Sequence, residues 1–495
     1  MRPGSRGWPT LLSLSLALWV ANLAAEVTTL DDDVSQRLNR WYAEGSAAGN
    51  HGDLYDNRDR EHSLFPVSQY PQLRRVFYLP HEVNKNLDWR AQSRVVFTPV
   101  FGNTSMASSP QRGGSLPRIY YNDPNRLQFL HNRYRFNNLY VYPEHQDHDP
   151  APRGFGDLYP TNTPYVLISQ GSSGSDQPFL HAIAKTLAAF HPHVKATLAR
   201  LGFLAPTVQK LLRRHNSVVS SREDYLSGIA HPTVFSEGYL DVSAMVNAAH
   251  RLTVDDIPPL ARLRLLSENR LRAGVDYFEP SRLTVSESLA STPQLIARVA
   301  RGIAYENKVT VTASAEDVNG HSLKRVYWTI LRGQAERIQI ETTGQFGETA
   351  RISVGYHSRF PVAPGAALTS TRVDIGVFVE TASGISPPSL VTFYHLPSEE
   401  RRYNEKKQLI ERRFLGHGTP PGRASPYSDR LFTAKKYWRD VFNYGDDGSL
   451  TGWTRTTDNQ TLQFDADGNV VDASGKVMQV AYELNAQKVL EMRVR

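Results

Sequence analysis

The spacing of hydrophobic positions changes along this chain, and the changes divide it. From Leu11 to Val20 the run LLSLSLALWV is apolar without any period. Val34, Leu38 and Trp41 then recur at helical spacing behind Asp31-Asp32-Asp33, so Asp33 is placed to cap a helix reaching Glu44. Gly45 to Asp59 is rich in Gly, Asn and Asp and predicts loop. Between Leu73 and Tyr142 the segments RRVFYL, SRVVFTPVF, RIYYND and NNLYVYP predict short strands between polar loops. The GNTSMASSPQRGGS stretch is read as a long loop, and Leu127 to Arg133 as a short helix. Tyr165 to Ser169 is a compact apolar strand. QPFLHAIAKTLAAF follows it, with Phe179, Ile183, Leu187 and Phe190 on one helical face and Pro178 in the first turn. Ser175 or Asp176 stands at the cap. Further helices are predicted over 193–201, 206–214, 241–250 and 259–269.

From residue 282 to 396 the period becomes two. KVTVTASAEDVNGHSLKRVYWTILRG alternates at Val309, Val311 and Ala313, turns through Asp317-Val318-Asn319-Gly320, and alternates again at Val326, Trp328 and Ile330. AERIQIE, ARISVGY, TRVDIGVFVE and LVTFYHL continue the pattern, which predicts a β-sandwich. Asp317, Asn319, Gly320 and Trp328 carry a resemblance to the PKD-like and bacterial Ig-like β-sandwich domains of envelope proteins. The resemblance covers less than a quarter of the chain. It implies an adhesive, spacing or glycan-contacting module and brings no binding site with it. After it, SEERRYNEKKQLIERRF is predicted as a solvated helix with supporting charge spacings, and GHGTPPGRASPYSD as extended linker. Asp447-Gly448 and Asp467-Gly468 then separate apolar strands, predicting hairpins.

The fold class read from this pattern is multidomain: a large α+β N-terminal domain, an Ig-like β-sandwich and a small C-terminal β-hairpin region. The boundaries expected are 1–25 for a signal peptide, 26–280, 281–397, a charged then Gly/Pro-rich linker over 398–430, and 431–495.

Arg2 and Arg6, the apolar run and the small residues Ala21, Ala24 and Ala25 together form a secretory signal-peptide pattern. Cleavage is expected near Ala25, with no transmembrane span in the mature protein and a secreted or periplasmic bacterial location. The chain has no cysteine, so its domains must hold by packing alone. The formal charge of +7 includes Arg2 and Arg6, and residues 1–25 hold no acidic group, leaving about +5 after cleavage. That mild excess favours an acidic glycan or another anionic envelope component as partner. Nucleic acid is not expected as a partner, because the longest basic cluster, Lys406-Lys407 with Arg412-Arg413, is interrupted by Glu405 and Glu411.

Two segments carry candidate chemistry. Gly171, Ser172, Ser173, Gly174, Ser175 and Asp176 join the apolar strand to a helix N-terminus, where free backbone N–H groups and hydroxyls suit an anion or substrate. The same glycines also suit a tight turn for close packing. The loop lacks the Lys-Ser/Thr ending of a nucleotide loop and the Gly-x-Ser-x-Gly spacing of a nucleophile elbow. The second segment is Glu144, His145, Asp147, His148 and Asp149, a donor set for zinc, manganese or iron, or else an acidic surface loop. Asp157 and Asn162 would complete one polar pocket with both segments. The Asp53 to His62 stretch reads mainly as a salt-bridged solvated surface, and the Asp465–Asn469 turn lacks the spacing of a calcium loop. The functional expectation is binding of a glycan or anionic ligand by the large domain. The alternative is a metal-assisted secreted hydrolase acting on an ester, glycan or phosphoester.

Overall fold

The computed structural model describes residues 26–58, 63–77, 98–104, 106–109, 114–117, 126–143, 162–278, 288–361, 369–396, 399–414, 438–457, 459–484 and 490–495. The predicted signal peptide, the 144–149 segment and Asp157 lie outside the described residues.

The N-terminal unit is built on one parallel sheet. Its strands are β1 (Leu54–Arg58), β2 (Arg74–Arg75), β3 (Val100–Thr104), β6 (Asn138–Pro143) and β7 (Val166–Ser169), in the order β2-β1-β3-β6-β7, every neighbour parallel. A hairpin of β4 (Met106–Ser109) and β5 (Gly114–Pro117) stands apart from it, inside the stretch read from sequence as loop. The helices are α1 (Asp33–Ala43), α2 (Arg126–Arg135), α3 (Gln177–Ala189), α4 (Pro192–Leu201), α5 (Leu204–Arg214), the single turn α6 (Arg222–Tyr225) and α7 (Val242–Arg251). The unit is therefore α/β with a parallel sheet, which corrects the α+β expectation. Parallel strands need crossovers, and strands buried on both faces read as apolar runs without alternation. All six residues of β6 and all four of β7 are buried.

Helix α3 explains how the core forms. Ten of its residues, from Phe179 to Ala189, are buried, because it packs against β3, α1 and α7 together. Its one buried cation, Lys185, meets the Asp32 carboxylate at 2.6 Å. Asp32, rather than Asp33, caps α1 through the Ser35 N–H.

Two sheets follow. One runs β12-β17-β19-β10-β9, with β18 on β17; the other runs β13-β14-β11-β8. The strands are β8 (Leu260–Glu268), β9 (Ser288–Thr292), β10 (Leu295–Ala300), β11 (Glu306–Glu316), β12 (Arg325–Arg332), β13 (Ile338–Thr343), β14 (Thr349–Gly355), β17 (Arg372–Thr381), β18 (Gly384–Ile385) and β19 (Ser389–His395). A small pair, β15 (Phe360–Pro361) with β16 (Thr369–Ser370), lies apart. Val311 and Ile352 from one sheet share a core with Ile375 and Phe393 from the other, so the sheets form a sandwich. The segment 259–269, expected as a helix, is mostly strand β8, paired along β11. The Asp317–Gly320 turn forms as read: Asp317 accepts the Asn319 N–H at 2.8 Å and Gly320 has φ +71°. It joins strands of different sheets, β11 and β12, and so bridges the sandwich.

The last unit is a seven-stranded antiparallel sheet of β20 (Glu399–Tyr403), β21 (Leu409–Phe414), β22 (Trp438–Tyr444), β23 (Leu450–Thr457), β24 (Thr461–Asp465), β25 (Val470–Val471) and β26 (Val477–Met478). The pair β27 (Val480–Leu484) and β28 (Leu490–Val494) follows it. The charged segment expected as a solvated helix is the β20–β21 hairpin. Asn404 closes its turn, its side-chain oxygen accepting the Gln408 N–H at 2.9 Å. Both Asp-Gly pairs turn hairpins as expected, between β22 and β23 and between β24 and β25. No helix among the described residues is long and apolar enough to cross a membrane.

Candidate functional site

In a parallel sheet every strand ends at the same edge. The chain runs from β1 to β2 on one side and then to β3 on the other, so the carboxyl ends of β1 and β3 flank a topological switch point. Ligands of open α/β sheets bind in such crevices. Alternation along the strands then sorts polar side chains to the two faces of this edge.

On one face, Tyr55 and Asn103 meet residues from the α3 side. The Tyr55 hydroxyl donates to Asn103 Oδ1 at 2.9 Å, and Asn103 Nδ2 donates to the Ser63 carbonyl at 2.7 Å. Gln177 Nε2 donates to the Ser63 hydroxyl at 2.8 Å and to its carbonyl at 3.0 Å. The Ser63 hydroxyl in turn donates to Asp176 Oδ1. Asp176 is fully buried, and its other oxygen, Oδ2, has no hydrogen-bond partner among the described residues. Burial pushes the Asp176 carboxyl above its usual value, against the hydrogen bonds from Ser63 and Asn103 that pull it down.

On the opposite face, the Asp56 carboxylate accepts from Arg58 Nε at 2.7 Å and from the Tyr140 hydroxyl at 2.6 Å. All three groups are buried. Gly102 sits between them in register with Asp56, and a Cβ there would collide with the Asp56 carbonyl. The glycine lets β1 and β3 close up at the switch point.

The predicted loop lies at this edge. It leaves β7 at Ser169 and enters α3, with Gly171 and Gly174 at positive φ of 125° and 98°. Ser175 Oγ lies 2.9 Å from Ser169 Oγ, and the Ser175 N–H donates to the Ser172 carbonyl at 3.0 Å. Ser172 and Ser173 are exposed. Asp176 occupies the cap position but makes no capping bond; its carboxylate is turned to Ser63 instead. Asn162 does not join the loop. It precedes β7, at the amino edge of the sheet, and its oxygen accepts the Thr163 N–H at 2.9 Å. Pro143, the last described residue before the 144–149 segment, pairs in register with Ser169. No group of three or more His, Asp or Glu able to hold a metal occurs among the described residues.

Sequence reading missed Ser63, Asn103, Tyr140 and Gln177. The stretch from Asp53 was read as solvated surface, yet β1 lies inside the sheet. Asp53 itself is buried against Lys195 at 2.7 Å, near the amino edge. Asn103 fell within the stretch read as a long loop, yet its side chain is fully buried.

No protein-family model and no curated protein matches the chain. Among solved structures that overlap it is a nucleoside hydrolase-related hypothetical protein from Saccharophagus degradans that is associated with carbohydrate metabolism. It is 10% identical and covers 74% of this chain and 89% of its own, with a TM-score of 0.22. At that score the overlap carries no argument about fold or activity.

Proposed function

We propose that the carboxyl edge of the parallel sheet binds hydroxyl groups of a glycan, in an exported cell-envelope or periplasmic protein. The observation that carries this is Asp176: a buried carboxylate with one oxygen unpartnered among the described residues, held by Ser63 beside Asn103 and Gln177 at the switch point. A carboxylate oxygen accepts from a sugar hydroxyl, and such hydrogen bonds are stronger than neutral ones. The Asp176 carboxylate favours a neutral polyol over an anion.

A second reading, a metal-assisted hydrolase acting on an ester, glycan or phosphoester, draws on the same residue. A carboxyl held above its usual value is suited to general-acid work. The His- and Asp-bearing 144–149 segment has the donor types that bind zinc, manganese or iron.

Calorimetric titration of the mature protein with neutral oligosaccharides tests the first reading. Binding is expected in the parent chain and a loss of about tenfold or more in Asp176→Asn, as one charge-assisted hydrogen bond would give. Unaltered affinity in that variant, or no saccharide bound at all, would rule the reading out. Release of reducing ends only when zinc or manganese is added would move the conclusion to the hydrolase.

A further inference from the structure

A second cavity lies far along the chain from the sheet edge, where the sandwich meets the β20–β21 hairpin. Its volume is about 640 Å³, within the range of small-molecule sites. Three tyrosines form a wall. Tyr305 and Tyr403 meet edge to face with ring centres 5.0 Å apart, and Tyr356 lies 5.7 Å from Tyr403. The wall is set by strand ends: Tyr305 precedes β11, Tyr356 follows β14, and Tyr403 ends β20. Gly355 makes room, since a Cβ there would stand 2.8 Å from the Tyr305 ring.

The rest of the lining is cationic. Arg337, Arg401, Arg402 and Arg413 face it against only Glu400 and Glu411, four guanidiniums to two carboxylates. Arg401 is fixed in place, paired with Glu399 and donating to the carbonyls of Ala300, Arg301 and Gly302. Glu411 is buried and shared by three arginines, Arg402 at 2.8 Å, Arg413 at 2.6 Å and Arg439 at 2.7 Å. Among the described residues three guanidiniums share this one carboxylate, and the lining carries more cations than anions. Arg337 donates to the Tyr356 carbonyl at 2.7 Å and makes no ion pair among the described residues. The arrangement holds arginine forks beside aromatic rings, with two buried carboxylates, Glu399 and Glu411, as their scaffold.

We infer that this cavity binds an acidic sugar. The tyrosine rings take the C–H face of a pyranose, and Arg337 and Arg413 take a uronate carboxylate. Aromatic rings offer an apolar face with a polar tip, and planar guanidinium matches a planar carboxylate through paired hydrogen bonds. A neutral sugar would fill the ring wall but leave the guanidiniums unused. The inference stands apart from the sheet-edge reading, which concerns neutral hydroxyls bound by Asp176.

The test is calorimetric titration of the mature protein with a β-1,4-linked glucuronate trimer and with its neutral counterpart, cellotriose. The glucuronate trimer is expected to bind at least about tenfold more tightly than cellotriose, with affinity falling as salt rises. Arg337→Gln combined with Arg413→Gln is expected to weaken the acidic trimer about tenfold or more with an unchanged unfolding midpoint. Asp176→Asn is expected to leave this binding untouched, which separates failure here from failure at the sheet edge. If the double variant unfolds early, Arg413→Gln alone serves, because the Arg413 side chain is 45% exposed. No binding of the acidic trimer, equal binding of cellotriose, or equal affinity in the arginine variants would overturn the inference.

Discussion

Asp176 shows how one residue departs from its sequence reading. Asp before a Pro-containing helix start reads as a cap, and it does stand at the cap position, yet its carboxylate serves Ser63. Its folded-state value is raised, so protonation favours the fold: the stability it contributes is present at low pH and is lost as pH rises through the raised value. Asp176→Asn is therefore expected to raise the urea midpoint at pH 7, with the gain shrinking as pH falls towards 4. A midpoint below the parent's at pH 7 would contradict the assignment. Lys407 offers an independent check of backbone strain. It turns the β20–β21 hairpin at φ +58°, in the left-handed region. Lys407→Gly relieves that strain but loses the Lys407–Glu306 pair at 2.6 Å, so it is expected to shift stability by less than about 1 kcal/mol at pH 7, read from thermal unfolding.

At the scale of elements, charged segments depart furthest from expectation. The β20–β21 segment has the charge spacing of a helix, but Arg402 and Glu411 pair across two strands instead. Strands β21, β22 and β23 also bury a charge cluster. Asp440 takes Arg455 at 2.7 Å and Arg412 at 3.1 Å, with all three side chains almost fully enclosed. Arg455 lies over the Trp438 ring at 4.2 Å, and Arg412 over that of Phe414 at 5.0 Å. The two arginines hold the Asp440 carboxyl below its usual value although burial works the other way. Removing the anion leaves two buried cations, so Asp440→Ala is expected to cost about 3 kcal/mol or more. Equilibrium denaturation would show it, and a change under about 1 kcal/mol would mean that water reaches the arginines.

For the whole molecule, buried histidines set the acid limit. Burial pushes His131 and His181 down to about 4, and His231 and His395 well below their ordinary value. The unfolded chain takes up protons near pH 6.5 where the folded chain does not, so stability falls as pH drops from about 6.5 towards 4. Asp32, Glu306 and Glu411, each lowered to about 2, add a further loss as pH falls from about 4 towards 2. Urea midpoints across this range are expected to decline throughout; a flat profile between pH 6.5 and 5 would show that the histidines are not enclosed. The core itself crosses units. Ala290, Leu295 and Leu390 of the sandwich share the cluster that fills the parallel-sheet unit.

The sequence by itself determined the local elements. Alternation marked β11, β12 and β14, helical spacing marked α1, α3 and α7, and Asp-Gly pairs marked the C-terminal turns, because period and turn chemistry act over a few residues. It also placed the 171–176 loop between a strand and a helix. Tertiary structure decided what those elements joined. Strand direction has no local signature, so the parallel sheet and its switch point were hidden, and with them the convergence of Ser63, Asn103 and Asp176. The same applies to β8, whose apolar residues fit a helix until β11 supplies its ladder. The Tyr305–Tyr356–Tyr403 wall draws on residues 98 positions apart, and only packing of the sandwich against the β20–β21 hairpin brings them together.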